Sequence, residues 1–212
     1  MDIALRTVVP KPLEGNYSSE SIWGKDVDFK SGHYYLVKAS SGKGKSTLIA
    51  YLFGTRSDYS GSVLLDGKET KSFSLNDWSA LRKESIAIVF QDLRLFDHMS
   101  AFENIIIKQQ LTKTVSDEAI QAMAKQLGID HLLDKPIKYL SMGQQQRVAL
   151  IRALVQPFKW LLLDEPFSHL DAENALKMEA LIKEVCERNG AGLILTSLGN
   201  GSSLNIHSEV LI

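Results

Sequence analysis

A glycine-rich segment that ends in lysine and two hydroxyl residues stands between an apolar run and a helical pattern. It reads A-S-S-G-K-G-K-S-T over residues 39–47, directly after the apolar run 34–37. Glycines let successive backbone N–H groups point inward as an anion nest, and the N-terminus of the following helix adds positive potential. Lys45 can then reach the β- and γ-phosphates of a nucleotide, while the Ser46 hydroxyl binds Mg²⁺. The pattern predicts a phosphate loop; the alternative is a turn that contains a lysine by chance.

The first position of this phosphate loop (residues 39–47) is usually glycine, and in this chain it is Ala39. An added Cβ strains the turn if the backbone needs a positive φ there. Because the phosphate-facing amides come mainly from later positions, we expect nucleotide binding to survive the alanine. The predicted nucleotide contacts are Ser41, Gly42, Lys43, Gly44, Lys45, Ser46 and Thr47.

An apolar run followed by two acidic residues forms a second candidate motif. Residues 160–163 are W-L-L-L, and Asp164 and Glu165 follow them directly. A buried strand that ends in a carboxylate places Asp164 near the cation, which it binds through water. Glu165 then points towards the γ-phosphate, where it polarises the attacking water. Taken alone the pair is a weak signal, because many strands simply end in acidic loops.

These groups need rigid elements to position them, and the apolar pattern predicts buried strands. Four runs are continuously apolar rather than alternating, as expected of parallel strands that helices cover on both faces. They are residues 34–37, 86–90, 160–163 and 193–195. Residues 62–67 end in an Asp-Gly pair, a hairpin-turn signal that predicts a small antiparallel part. We therefore predict an α/β fold, a phosphate-loop NTPase core with a mixed, mainly parallel sheet.

Helical patterns occupy much of the remaining chain. Residues 174–188 form an amphipathic pattern that ends at Gly190. The apolar face expected of this helix consists of Leu176, Ala180, Leu181, Ile182 and Val185. Residues 97–139 are mostly helical, with a break at Gly128, and they interrupt the alternation of strands and helices. We predict a single domain, 1–212, made of a core lobe (1–96 and 140–212) and an inserted helical lobe (97–139).

Residues 140–147, L-S-M-G-Q-Q-Q-R, precede a helix predicted from Val148 to Gln156, which Pro157 closes. This signature segment (residues 140–147) completes a set of motifs in a fixed order with the phosphate loop, Gln91, the acidic pair and the loop 168–171. The chain resembles the ATPase subunits of the ATP-binding cassette (ABC) family over nearly all of its length. The signature segment is highly specific to that family, and the resemblance implies ATP and Mg²⁺ as cofactors.

The resemblance implies catalytic and metal-binding roles. Gln91 resembles the glutamine that contacts Mg²⁺ and the attacking water and that senses a transmembrane partner. The implied metal ligands are Ser46, Gln91 and Asp164, and the implied catalytic residues are Glu165, Lys45, Gln91 and Ser197. Tyr17 is the best candidate for the aromatic residue that stacks on adenine. Trp23 is its rival, and either ring can instead belong to the core.

Other implied roles concern a second subunit. Ser141, Gly143 and Gln144 resemble the groups that bind the γ-phosphate of a nucleotide held by the opposite subunit. Taken alone, Ser141 is an ordinary helix N-cap. Asp171 resembles the carboxylate that communicates between the two sites of the dimer. The expected partners are therefore a second ABC subunit, identical or different, and a transmembrane permease.

Besides Ala39, two departures from the family pattern bear on catalysis. Met142 stands where the signature usually has its first glycine, at a close contact of the dimer. Ser197 stands where the family has a histidine that contacts the γ-phosphate. Losing one positioned polar contact commonly costs on the order of 10²- to 10³-fold in rate. His169 and His207 do not fall at that position and are predicted to be loop residues.

Composition excludes several other classes of protein. The net charge of −1, from 24 basic and 25 acidic residues, predicts no nucleic-acid surface. No apolar run is long enough to span a bilayer, and the first residues do not resemble a secretion signal. The one cysteine, Cys186, is expected to be a buried thiol. We expect a cytoplasmic protein held at the inner face of the cell membrane by its permease.

The predicted function is an ATP-hydrolysing subunit that drives a membrane transporter. The alternative is a nucleotide-gated regulatory or structural subunit that hardly hydrolyses ATP, because Ser197 replaces the histidine. Retained Glu165 favours the enzyme. The stretch 89–95 and the signature segment resemble most closely the lipoprotein-release and macrolide-export group of the family.

Overall fold

The computed structural model describes residues 1–39, 42–197 and 203–212. Its strands are β1 (Ile3–Pro10), β2 (Val27–Phe29), β3 (Tyr34–Lys38), β4 (Tyr59–Leu65), β5 (Lys68–Glu69), β6 (Ile86–Val89), β7 (Trp160–Asp164), β8 (Gly192–Ser197) and β9 (Ser208–Leu211). Its α-helices are α1 (Lys45–Leu52), α2 (Leu75–Glu84), α3 (Ala101–Thr112), α4 (Asp117–Gln126), α5 (Met142–Leu154) and α6 (Ala172–Asn189). Short 3-10 turns lie at Lys11–Leu13, Thr70–Ser72, Asp130–Leu132 and Ile137–Tyr139.

The larger sheet consists of parallel strands in the order β6-β7-β8-β3-β9. Successive side chains of a strand point to opposite faces, so each central strand serves two cores. On β7, Trp160 and Leu162 face the core shared with α1 and the smaller sheet, whereas Leu161 and Leu163 face the core shared with α3 to α6. The predicted α/β architecture is confirmed. The carboxyl ends of β3, β7 and β8 consequently lie side by side at one edge of the sheet.

The smaller sheet is antiparallel, in the order β2-β1-β4-β5. Asp66 and Gly67, with φ values of 48° and 76°, form the predicted hairpin turn between β4 and β5. The apolar pattern misses β1, because Arg6 and Thr7 interrupt it. The register of β1 with β4 shifts after Arg6, where Thr7 has a φ of 47°. A Cβ at Gly61 would lie 2.4 Å from the Arg6 carbonyl oxygen, so this crossing requires glycine.

The segment 97–139 contains α3, α4 and two of the 3-10 turns. Ser100 starts α3 with a capping box that includes Glu103, and Gly128 follows α4 with a φ of 67°. Apolar residues of this segment, such as Ile105 and Ile120, belong to the same buried cluster as those of α5, α6 and the parallel sheet. Within the described ranges, no helix has the length and apolar character needed to span a membrane.

Two details of the helix predictions are wrong. The helix predicted from Val148 begins at Met142 and ends at Leu154, so the signature segment forms its first turns. On α6, Leu176 and Ala180 are exposed, and the buried face consists of Met178, Glu179, Leu181, Ile182, Val185 and Cys186. The expectation of a buried thiol is confirmed, and burial raises the pKa of Cys186 to about 12.

Candidate functional site

The phosphate loop leads from the end of β3 into α1, which begins at Lys45. Gly42 and Gly44 have φ values of 79° and 106°, a region that residues with a Cβ rarely adopt. At Gly44 a Cβ would also lie 3.1 Å from Leu13 and 3.2 Å from the Trp23 ring. Glycine is therefore needed at position 44 for both conformation and space. Ser41, one of the predicted contacts, lies outside the described residues.

Lys45 is a buried cation, with 5% of its surface exposed. Its Nζ donates to the Ala39 carbonyl oxygen at 2.8 Å and lies 3.3 Å from Glu165 Oε1. A buried charge is tolerated only where polar partners compensate its lost hydration. Ala39 has no positive φ, so its Cβ causes none of the strain considered above. The loop thus holds a pre-positioned ammonium group beside a carboxylate.

The ends of β7 and β8 are joined by hydrogen bonds around one buried hydroxyl. Thr196, opposite Asp164 in the register of the two strands, donates from Oγ1 to Asp164 Oδ1 at 2.6 Å. The same Oγ1 accepts from the Glu165 backbone N–H at 3.1 Å. Glu165 has a φ of 50°, an unfavourable conformation for a residue with a Cβ. Thr196 therefore fixes the turn that directs the Glu165 carboxylate to Lys45.

Two cavities adjoin at this edge of the sheet. The first, of about 280 Å³, is lined by the predicted residues Gly42, Gly44, Lys45, Ser46, Thr47, Gln91 and Glu165. The second, of about 330 Å³, is lined by Ser46, Gln91 and Asp164 among others. An anion fits the first cavity, because glycine amides and a buried ammonium group surround it. The hydroxyl, amide and carboxylate oxygens of the second cavity are ligand types that Mg²⁺ accepts.

The two aromatic candidates differ in exposure. Trp23 is 1% exposed, donates from Nε1 to the Lys43 carbonyl oxygen at 3.4 Å and packs edge-on against Tyr51. It supports the phosphate loop as part of the core, which favours Tyr17 over Trp23 as the residue that stacks on adenine. Tyr17 is 40% exposed and does not line the two cavities within the described part of the chain. Its stacking on adenine stays a prediction.

The signature segment begins α5 with a capping box. Ser141 Oγ accepts from the Gln144 backbone N–H at 3.3 Å, and Gln144 Oε1 accepts from the Ser141 backbone N–H at 2.8 Å. Gly143 packs against the loop 168–171, where a Cβ would lie 2.9 Å from the His169 carbonyl oxygen. Ser141 and Met142 are exposed. The structure does not bring this segment to the two cavities described above.

Comparison with known proteins identifies the family. The family model described as "ABC transporter" matches residues 24–168. The chain belongs to the ABC transporter family. It is 32% identical over 204 residues to the multiple sugar-binding transport ATP-binding protein of Streptococcus mutans, covering 95% of this chain and 52% of that protein. It is 34% identical over 185 residues to the Fe(3+) ions import ATP-binding protein of Vibrio cholerae, covering 85% of this chain and 51% of that protein.

Solved structures of the ABC transporter family share the fold. The dimeric structure of the ATP-binding cassette MJ0796, in a post-hydrolysis state bound to ADP and Pi, has a TM-score of 0.76 and 25% identity. The match covers 92% of this chain and 87% of that chain. The chain spans about half the length of the curated relatives described above.

The ABC loop 168–171 ends in Asp171, the N-cap of α6. Asp171 accepts from the Asn174 backbone N–H at 2.8 Å and from its side-chain Nδ2 at 2.9 Å. These two hydrogen bonds from Asn174, first the backbone one and then the side-chain one, lower the pKa of Asp171 below its ordinary value. Asn174 Oδ1 in turn accepts from Arg147 of α5 at 3.0 Å. Gln146 of α5 donates to Ser168 at 3.1 Å and contacts His169 Nδ1 at 3.3 Å, so α5 is joined to this loop as well as to the first turn of α6.

Ser197, the family's histidine position, ends β8 opposite Lys38 of β3. His169 contacts Ser168 and Gln146 in the loop 168–171, whereas the Nδ1 of His207 accepts from the Tyr34 backbone N–H at 3.0 Å. Both histidines lie in loops, as predicted, and neither occupies the end of β8.

Sequence reasoning missed part of the cavity wall. Pro10, Pro12, Leu13 and Arg56 line the cavity of about 280 Å³. Arg56 donates to Thr47 Oγ1 at 3.2 Å and pairs with Asp58 at 2.5 Å. No spacing signal marks these residues, because Pro10 ends the strand β1 that the apolar pattern misses, Pro12 and Leu13 follow it, and Arg56 lies in the loop after α1.

Proposed function

We propose that this chain binds and hydrolyses Mg-ATP as the motor subunit of an ABC transporter. The observation that carries the proposal is the buried Lys45–Glu165 pair at the mouth of a glycine-lined cavity, with Asp164 and Thr196 behind it. Lysine and amides suit phosphate binding, and a carboxylate beside them suits activation of water. The two curated relatives are named ATP-binding proteins of transport systems, which supports the same function.

The chain's own groups divide the work of hydrolysis. The N–H groups of the phosphate loop and Lys45 hold the phosphates, and Ser46, Gln91 and Asp164 hold Mg²⁺ directly or through water. When bound there, Mg²⁺ would neutralise part of the phosphate charge. Lys45 leaves Glu165 for the phosphate oxygens, which frees the Glu165 carboxylate to accept a proton from water. Tyr17 stacks on adenine from the exposed side of the site.

The second subunit completes the site. Ser141, Gly143 and Gln144 stand at the exposed N-terminus of α5, where the helix dipole favours an anion. In this proposal they bind the γ-phosphate of a nucleotide held by a second ABC subunit, and Asp171 communicates between the two sites. The dimeric structure of MJ0796 with ADP and Pi supports both dimerisation and hydrolysis.

Transport requires a membrane partner. We infer that a permease holds the chain at the inner face of the membrane and that ATP-dependent dimerisation of the ABC subunits changes the conformation of that permease. The Vibrio cholerae relative is named for import. The resemblance to the lipoprotein-release and macrolide-export group stays a prediction, and the relatives named here do not support it.

The second candidate function is a nucleotide-gated subunit with little hydrolysis. Ser197 at the end of β8 favours it, because a serine hydroxyl is too short to replace an imidazole without a bridging water. Met142, exposed by 48% at the start of α5, also stands where a close dimer contact is expected.

Steady-state phosphate release from Mg-ATP tests the proposal, with wild type, Glu165→Gln and Lys45→Ala measured side by side. Turnover by wild type that both variants lose supports the motor function. Wild type that binds ATP but is as slow as Glu165→Gln refutes hydrolysis and supports the gated subunit. Lys38→Ala is a matched control, because Lys38 forms an ion pair with Glu209 at 2.7 Å and does not line either cavity among the described residues.

A further inference from the structure

The loop that carries Gln91 has an unusual backbone. In this glutamine loop (residues 90–94), Leu93 and Arg94 have φ values of 55° and 50°. Two consecutive non-glycine residues in the left-handed region are unfavourable, because each Cβ approaches the backbone carbonyl. Such a conformation persists only where surrounding contacts hold it.

Contacts within the glutamine loop stabilise part of this backbone conformation. The Leu93 backbone N–H donates to the Phe90 carbonyl oxygen at 3.0 Å, and the Arg94 N–H donates to that of Asp92 at 2.6 Å. The Arg94 guanidinium lies 3.6 Å from the centre of the Phe90 ring, and the Leu93 side chain is buried. These contacts close the turn but leave the carbonyl groups of residues 93 and 94 to be satisfied from elsewhere.

One guanidinium group binds both of those carbonyls. Arg152, near the end of α5, donates from Nη1 to the Arg94 carbonyl oxygen at 2.7 Å and from Nη2 to that of Leu93. The planar fork of arginine presents two N–H donors in fixed geometry, which a lysine cannot do. Arg152 therefore holds the two unfavourable residues in place from outside the loop.

We propose that Arg152 is a positioning residue for Gln91. Gln91 lines both cavities beside Ser46, and residues 93 and 94 fix the chain just after it. Without Arg152, these residues relax towards ordinary φ values and carry the Gln91 amide away from the metal and water positions. The inference rests on the proposed function, because it assigns Arg152 to the hydrolysis that Gln91 serves.

The surroundings show that the carbonyl contacts, rather than an acidic partner, hold Arg152. Among the described residues, Arg152 has no carboxylate within ion-pair distance. Burial lowers its pKa to about 10, so the group stays protonated at neutral pH. Burial also lowers the pKa of Lys108, and the nearby charges of Arg152 and Arg82 lower it further. A cation kept beside other cations needs strong acceptors, and the two carbonyls supply them.

The helix that carries Arg152 also carries the signature segment at its other end. Ser141 caps the first turn of α5, and Arg152 lies in its last turn. A helix of this length moves as a rigid body, so Arg152 ties the glutamine loop to the movement of the signature segment. Arg152 thereby links the metal side of the site to the surface offered to a second subunit.

The test compares Arg152→Ala with Arg152→Lys and Lys108→Met. Arg152→Ala should lower kcat for ATP about 10-fold or more and change KM less than about 3-fold, because a misplaced catalytic group affects the chemical step more than binding. Arg152→Lys should retain more of kcat than Arg152→Ala, since its single ammonium group still offers donors to the carbonyls but lacks the fork that binds both in fixed geometry. Lys108→Met removes a charge near Arg152 and should leave kcat unchanged, because among the described residues no hydrogen bond or ion pair joins Lys108 to the glutamine loop. Equal losses in Arg152→Ala and Lys108→Met overturn the proposal.

A second-site change tests the backbone argument directly. Glycine adopts left-handed φ values without steric cost, so Arg94→Gly combined with Arg152→Ala should recover part of the kcat that Arg152→Ala loses. Arg94→Gly alone is the control for the lost contact with Phe90. A double variant no better than Arg152→Ala contradicts a role through loop conformation.

Hydrogen exchange separates this proposal from the proposed function. In the nucleotide-free chain, amides of residues 90–94 should exchange faster in Arg152→Ala than in wild type, while those of α1 stay unchanged. This measurement does not need hydrolysis. A wild type that does not turn over ATP therefore refutes the motor function but not the positioning role of Arg152. Unchanged exchange at residues 90–94 overturns the positioning role. If Arg152→Ala does not fold, the same comparison is made with Arg152→Lys, where the expected change is smaller but has the same sign.

Discussion

The phosphate-loop region and the signature region of this chain satisfy their polar groups in opposite ways. On the phosphate-loop side (the phosphate loop with the ends of β7 and β8), Lys45, Asp164 and Thr196 are at least 95% buried and contact neighbours within the site. On the signature side (the first turn of α5 with the loop 168–171), Ser141 and Asp171 are exposed and bind only backbone or side chains of their own helix turns. The first region is closed within the chain, and the second faces outward.

This difference indicates which region can act alone. The phosphate-loop side already places a cation, a carboxylate and glycine amides around a cavity. The signature side offers a helix N-terminus but no cation of its own, because Arg147 turns inward to the Leu127 carbonyl oxygen and Asn174. A helix N-terminus binds an anion weakly without further partners. The signature side therefore needs a second molecule to have a function, and this requirement supports the proposed dimer.

Mixing two defective variants gives the largest expected effect and tests this division. Lys45→Ala damages the phosphate-loop side and Ser141→Ala the signature side, and each should lower turnover on the order of 10²-fold by removing a group that stabilises phosphate charge. In a symmetric dimer each site combines one region from each subunit. An equal mixture should recover about a quarter of wild-type turnover, because half of the dimers are mixed and each carries one intact site.

The controls are the two variants assayed separately at the same total concentration. A mixture that shows only the average of the separate activities contradicts a site shared between two copies. Ser141→Ala should also lose about 1 kcal/mol of stability through the missing N-cap. Ser116→Ala is the matched control, since Ser116 caps α4 in the same way but lies away from the signature side.

The sequence predicts the phosphate-loop side better than the signature side. The apolar runs 34–37 and 160–163, which precede the phosphate loop and Asp164, follow from burial, which the sequence encodes directly. The predicted start of α5 was wrong because Gly143 is a poor helix former, whereas the capping box of Ser141 and Gln144 starts the helix six residues earlier than expected.

The error on α6 has a different cause. A glutamate is normally expected on the exposed face of a helix, yet Glu179 is buried because Ser203 donates to its carboxylate from both the backbone N–H and the hydroxyl. No local spacing reveals a partner 24 residues away. With Glu179 on the buried face, Leu176 and Ala180 turn outward. The contact between Arg152 and the glutamine loop escaped prediction for the same reason.

Ser197→His sharpens the comparison, because it adds to the phosphate-loop side the one group that the family pattern has and this chain lacks. We expect turnover to rise about 10-fold, which is less than the 10²- to 10³-fold effect of one fully positioned polar group. Phosphate release by Ser197→His and Ser197→Ala gives the measurement. Ser197→Ala should stay near wild type if the serine hydroxyl contributes little. A histidine variant no faster than alanine shows that the chain has adapted to the shorter side chain.

Thr196→Val breaks the buried hydrogen bonds that close the phosphate-loop side. Valine has nearly the shape of threonine, but Asp164 loses its 2.6 Å donor and the Glu165 N–H loses its acceptor. Leaving buried polar groups unsatisfied costs about 1–3 kcal/mol, and each kcal/mol lowers the melting temperature of a domain of this size by about 2–4 °C. Thr196→Ser keeps the hydroxyl and should retain most of the stability. A stable, fully active Thr196→Val refutes the role assigned to this hydroxyl.

Asp171→Asn should have the smallest effect and separates capping from communication on the signature side. The pKa of Asp171 is lowered, first by the backbone N–H of Asn174, so the folded state binds its proton less readily than the unfolded state. Its contribution to stability is therefore present above the ordinary Asp pKa of about 3.9 and disappears as pH falls through the folded value. Asparagine caps a helix as well as aspartate, so Asp171→Asn should melt like wild type at pH 7 and lose less stability than wild type as the pH falls below about 4.

Turnover of Asp171→Asn then decides between the two roles. A residue that only caps α6 leaves phosphate release unchanged, whereas a carboxylate that also contacts the second subunit lowers it severalfold at an unchanged melting temperature. We expect the second result, because the signature side gains its function only against a partner. Glu173→Gln is the control: it removes a charge from the same helix turn, where Glu173 pairs with Lys177 at 2.6 Å, without altering the cap. Equal turnover in both variants would confine Asp171 to its own helix, and the contacts of Gln146 with Ser168 and His169 would then join α5 to this loop.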